Sequence, residues 1–126
     1  MSILADPPPP SALRALGIRA EETHVVGTDS IWWRVHRTDG AHVLGWNALR
    51  TFGPLLRFDA HPPPRGEHDR HGVWYEASTP DGAIAEAYQI DRTIDRERGR
   101  PYLTGLSFTR ALTVLDLATD SAGAWA

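Results

Sequence analysis

Arg34 and His36 stand two residues apart in the run Ile-Trp-Trp-Arg-Val-His-Arg at 31–37. On a strand they share one face with Trp32, while Ile31, Trp33 and Val35 take the other. A neighbouring Arg and His suit an anion such as phosphate, with the Trp32 indole as its floor. The plain alternative is the polar face of an edge strand. Glu86 poses a second question. Ala83, Ala87, Ile90 and Ile94 fall on one helical face, and at about 100° per residue Glu86 lies on the flank of that stripe. A half-buried carboxylate is expected there, pointed at whatever the helix packs on; a structural ion pair with Arg34 is the competing use. His61, His68 and His71 crowd one stretch with Asp59, Glu67 and Asp69, which raises metal-dependent hydrolysis. Their spacing fits no closed zinc pattern, and a Pro-rich loop holds ligands poorly, so a solvated loop without metal is expected.

The elements that must position these groups follow from local patterns. At 72–77, Val73, Tyr75 and Ala77 alternate with Trp74 and Glu76, which predicts a buried strand. Thr79-Pro80-Asp81 then starts a helix, with Thr79 as cap and Pro80 in the first turn. Gly99 and Pro101 close that helix after Arg98. An earlier helix begins at a Ser11 cap, turns Leu13 and Leu16 inward, and ends at Gly17. Further strands are predicted at 23–26, 31–37 and 55–59, and at 103–109 and 112–117 as a possible hairpin. Arg57 and Asp59 share a face of the 55–59 run, where a structural Arg–Asp pair is expected. Residues 1–10 end in four prolines and read as an extended arm, ahead of one domain over 11–126.

The 126 residues suit a single domain. The formal charge of −3 does not suggest a nucleic-acid binder, whose footprint would be basic. There is no Cys, so thiolate catalysis and disulfides are excluded, and a reducing cytoplasm is compatible. No signal peptide or apolar run of membrane length is visible. There is no Gly-rich phosphate loop and no Gly-x-Ser-x-Gly elbow. Residue patterns alone predict a soluble α+β chain.

Five ordered segments go further. They are Trp-Trp-Arg-Val-His-Arg at 32–37, Phe-Gly-Pro-Leu-Leu-Arg-Phe-Asp at 52–59, Gly-Val-Trp-Tyr-Glu-Ala at 72–77, Ala-Ile-Ala-Glu-Ala-Tyr-Gln at 83–89 and Leu-Asp-Leu at 115–117. Together they resemble the RES-domain family, named for an Arg, a Glu and a Ser. The resemblance implies an ADP-ribosyltransferase-like split β-sheet domain with few short helices. It implies the toxin half of a toxin–antitoxin pair that consumes NAD or transfers its ADP-ribose, as glycohydrolase, phosphorylase or ADP-ribosyltransferase. It also implies an Xre-type antitoxin partner that covers the active site. Carried over by motif, Arg34 and Glu86 look like the named Arg and Glu, and Tyr75 like the family's active-site Tyr. Arg57 resembles a second NAD-contacting Arg, though its segment departs from the commoner Gly-Gly-Arg-Trp form. In that chemistry Arg34 and Arg57 would hold the diphosphate. Tyr75 would stack on nicotinamide or bond ribose, and Glu86 would stabilise the ribosyl cation or activate the acceptor. His36 would be at most a supporting group. The named Ser falls downstream of residue 126, and Ser121 stands too close to Leu-Asp-Leu to match it. A domain incomplete at its C-terminus is therefore expected, with an uncovered edge or apolar face at 112–117. A catalytically inactive domain that only binds a partner is the alternative to the enzyme.

Overall fold

A computed structural model describes residues 9–56 and 58–117. Contacts divide the chain into two compact units, Met1–Thr28 with Phe108–Ala126 and Asp29–Ser107. The described elements are short helices and antiparallel strand pairs, an α+β composition.

In the first unit, helix α1 (Pro10–Leu16) is followed by a 3-10 turn (Ala20–Glu22) and strand β1 (Thr23–Val26). The residue before α1 is Pro9, and no side chain caps the helix; Ser11 already lies inside it. Leu16 is exposed rather than inward, because seven residues make only two turns and present no continuous stripe. Gly17 closes α1 at φ 67°, a conformation that favours glycine. The 3-10 turn is fixed by Glu22, whose carboxylate accepts from the Arg19 backbone N–H at 2.8 Å and from Arg19 Nη2 at 2.9 Å.

Strand β1 pairs with the last of the described strands, Leu112–Leu115. That strand is not the hairpin partner of the strand before it. Pro101–Leu106 is claimed instead by the strand carrying Arg34. Two close strands make a hairpin only when the link returns each onto the other, and here both find better partners far away in sequence.

In the second unit, β2 (Trp32–Arg37) pairs antiparallel with β5 (Pro101–Leu106), and β3 (Phe52–Gly53) with β4 (Gly66–Glu67); Leu112–Leu115 is β6. Helix α2 (Pro80–Tyr88) packs on β2 and β5, burying Ala83. Its start is as predicted: Thr79 Oγ1 accepts from the Gly82 N–H at 3.0 Å. Its end is not. The helix stops ten residues before Arg98, at Tyr88, and Ile90 and Ile94 are exposed. Arg92 turns to positive φ, and Asp95 Oδ1 takes the N–H groups of Glu97 and Arg98 at 2.9 Å each. Asp binding nearby N–H groups competes with helix continuation. Among the described residues no helix is long and apolar enough to cross a membrane.

Candidate active site

Two backbone tethers bring the site together. Trp33 on β2 exchanges N–H···O bonds with Ala77 at 2.8 and 2.9 Å. Arg50 and Val73 do the same at 2.9 Å each. Residues 73–77 are thereby held at both ends. Between the tethers the backbone is not a regular strand, so the predicted alternation fails there: Tyr75 and Glu76, consecutive residues, line the same cavity.

That cavity has a volume of about 210 Å³, and Arg34, Tyr75 and Glu86 all line it. They reach it from β2, the tethered segment and α2 respectively. Arg34 is the most deeply set, 9% exposed. Its Nη1 donates to the backbone oxygens of Trp46 and Ala48, both at 3.0 Å. Its guanidinium carbon lies 4.7 Å from the Trp74 ring centroid, within cation–π range. The indole beneath it is therefore Trp74, not Trp32. Both of these bonds leave from one nitrogen, so the N–H groups on Nε and Nη2 are uncommitted among the described residues. Burial lowers the Arg34 pKa, against the pull of the Glu76 carboxylate. Glu76 is pushed up by burial, opposed by the Trp74 indole and Arg34.

Glu86 is exposed, not half-buried. Helix α2 ends at Tyr88, one turn or less beyond it. Glu86 Oε1 accepts from Gln89 Nε2 at 3.3 Å. Arg34 and Glu86 form no ion pair among the described residues, so the purely structural pairing does not occur there. His36 is tied to β5 through Thr104 Oγ1 at 2.8 Å. Burial lowers its pKa, and the Arg34 charge lowers it further.

The sequence reading missed what stands behind Tyr75. The Tyr75 hydroxyl donates to Asp59 Oδ1 at 2.9 Å. Asp59 is held bidentately by Arg50 Nη2, at 2.7 and 2.8 Å, and it takes the N–H of Leu55 at 2.6 Å and of Leu56 at 3.0 Å. Leu55, Leu56 and Asp59 therefore belong to a loop gathered on a carboxylate and not to a strand. Burial pushes the Asp59 carboxyl up, but Arg50, the two amides and Tyr75 outweigh it and hold it well below the usual carboxylate range. Tyr75 is pushed up to about 12 by burial and by its bond to that carboxylate. Only the Asp in a short Leu-Leu-x-x-Asp loop hinted at this; the Arg partner is nine residues upstream. Arg57, the fourth residue proposed from sequence, lies outside the described residues.

His61 is buried, with Nδ1 3.7 Å from Asp59 Oδ2. Its ring centroid is 5.7 Å from that of His68, which is 6.2 Å from His71. Among the described residues no group of three His, Cys, Asp or Glu is placed to hold a metal ion.

Comparison with curated proteins and with solved structures found no match. A family model does match: the RES domain, over residues 31–125. That span covers most of the chain, including Arg34, Tyr75 and Glu86, and the chain therefore belongs to the RES-domain family.

Proposed function

We propose that this protein is an NAD-consuming enzyme that breaks the nicotinamide–ribose bond, acting as the toxin of a toxin–antitoxin pair in the cytoplasm. The single observation that carries the reading is the convergence of Arg34, Tyr75 and Glu86 on one cavity in a RES-domain chain. An ADP-ribosyltransferase-like sheet and an Xre-type antitoxin as partner belong to the same proposal. A cavity of about 210 Å³ is smaller than the roughly 300–1,000 Å³ of small-molecule pockets. It suits one end of a dinucleotide, the nicotinamide riboside with its adjoining phosphate, and leaves the adenosine end outside.

The reaction breaks the bond between ribose C1′ and the pyridinium nitrogen. The bonding pair leaves with nicotinamide, which departs neutral, and positive charge appears on the ribose. No acid is needed for such a leaving group. The site must orient it and stabilise the cation. Arg34 offers its remaining N–H groups to the diphosphate by charge-assisted bonds. The Tyr75 hydroxyl is already committed to its hydrogen bond with Asp59, so Tyr75 meets nicotinamide with its ring face. Glu86, reaching the cavity from α2, attracts the cation and bonds a ribose hydroxyl. Water, phosphate or a protein nucleophile then captures C1′, and this first step is common to all three outcomes.

Glu86→Gln tests the reading. Purified wild type should deplete NAD and release nicotinamide, and the variant should lose about 10²–10⁴-fold in rate while its thermal unfolding is unchanged. Equal NAD turnover in a folded Glu86→Gln protein would remove the role assigned to the carboxylate. A folded wild type that consumes no NAD and binds an Xre-type protein would instead support the partner-binding alternative.

A further inference from the structure

We infer that Asp59, held by Arg50, is a positioning residue for the cavity: it fixes the Tyr75 ring by its hydroxyl and the Leu56 backbone by its N–H. The inference rests on the reading that Tyr75 meets the substrate. Asp59 is not itself a candidate base or nucleophile. Its side chain is wholly shielded from solvent, and its two oxygens already accept from Arg50, Leu55, Leu56 and Tyr75. A carboxylate offers about four lone-pair sites, so no capacity is left for a ligand.

Two of the groups it gathers, Tyr75 and Leu56, line the same cavity. They come from segments 19 residues apart in sequence, and the residues on either side of Tyr75 have no regular strand to hold them. Without the hydroxyl anchor a Tyr ring on such a segment is free to turn about χ1 and χ2. With it, the ring is pinned at its far end as well as at its backbone. Arg50 contributes twice, because its backbone tethers Val73 while its guanidinium neutralises Asp59. One residue thus sets both the position of the 73–77 segment and the anchor of Tyr75. His61 closes the remaining side of the carboxylate. It packs against Gly53, where even a methyl side chain would collide with the imidazole.

The test is a double-mutant cycle of Asp59→Asn and Tyr75→Phe, read three ways. Tyr75→Phe keeps the ring and leaves Asp59 its other partners, so it folds even if Asp59→Asn proves fragile. In the amide variant four donor groups compete for one carbonyl oxygen, and the Tyr75 bond is weakened. If Asp59 acts through the hydroxyl, each single variant loses about tenfold in kcat/KM for NAD, and the double variant loses no more than either. The loss falls on kcat rather than KM, since a misoriented ring still binds. The second reading needs no NAD. In rapid alkaline pH-jumps the tyrosinate absorbance that Tyr75→Phe deletes should appear at lower pH in Asp59→Asn than in wild type. The third is thermal unfolding, which separates folding loss from both. Independent, additive effects on kcat/KM, or a Tyr75 titration unmoved by Asp59→Asn, overturn the inference. If wild type consumes no NAD, the NAD reading fails by itself, and the titration still decides whether Asp59 holds Tyr75.

Discussion

Replacing Arg34 by Lys keeps the positive charge and removes the planar fork. Arg34 is 9% exposed and donates from Nη1 to two carbonyls of the 46–48 loop while lying over Trp74. A hydrogen bond to a charged donor contributes about 1.5–3 kcal/mol, and a partly desolvated cation–π contact about 0.5–2 kcal/mol. An ammonium on a flexible stem can keep one carbonyl bond; it loses the second and most of the stacking, and it is harder to desolvate. The expected cost is therefore about 2–4 kcal/mol. For a chain of this size roughly 3–5 °C of melting temperature corresponds to 1 kcal/mol, so Arg34→Lys should melt on the order of 10 °C lower. The assay is thermal unfolding by circular dichroism, with NAD turnover measured well below the transition. Activity should fall as well, because the uncommitted N–H groups of the fork are lost. A melting temperature within about 2 °C of wild type would refute the claim that Arg34 is a structural pin as well as an anion ligand. Arg34 and Glu86 then separate cleanly, since an exposed carboxylate changed to its amide should cost no more than about 0.5 kcal/mol.

Two further outcomes follow from the same contacts. Asp59 titrates below its ordinary range when folded, so its contribution is fully present above the ordinary carboxylate pKa and is lost as pH falls through the lower folded value. Wild type should exceed Asp59→Asn by on the order of 2–4 kcal/mol at neutral pH, with the gap narrowing below about pH 4 in melts across a pH series; a pH-independent gap would contradict it. Thr79→Ala removes the acceptor for the Gly82 N–H and should cost about 1 kcal/mol, visible as an earlier melt with NAD turnover retained below it.

The legible parts of the fold were those set by neighbours in sequence. Strand β1, the core of β2 and the Thr79 cap are local patterns, and all three stand where the residues placed them. The end of α2 was misread because the apolar spacing through Ile94 continues past the last helical turn. Past the helix Arg92 turns to positive φ and Asp95 captures two further amides, features that periodicity does not record. The partners of β5 and β6 were not legible either, since nothing in 101–115 favours β2 or β1 over a hairpin. The site divides the same way. Arg34 and Glu86 stood out from strand alternation and helix register, and motif resemblance added Tyr75 and joined the three. The Arg50–Asp59 pair joins residues whose types are common and whose meeting depends on a loop with no period.

Arg34 and Glu86 are held unequally at the cavity, and the inequality has a chemical sense on the proposed reading. Arg34 is buried on an aromatic face, where a low effective dielectric strengthens its pull on an anion. It is also fixed before any ligand arrives, so little ordering cost remains. Glu86 stands in water on a helix flank, where its attraction for a cation is screened. Its field becomes strong only when something else excludes that water. The cavity is small, and two other groups that line it, Tyr75 and Leu56, are anchored to one buried carboxylate. A nicotinamide riboside end that fills the space would itself displace the water between Glu86 and the ribose. Substrate held by Arg34 would thus complete the environment in which Glu86 acts. This makes the exposure of Glu86 compatible with the role proposed for it, while Glu76 is the carboxylate whose charge already acts on Arg34.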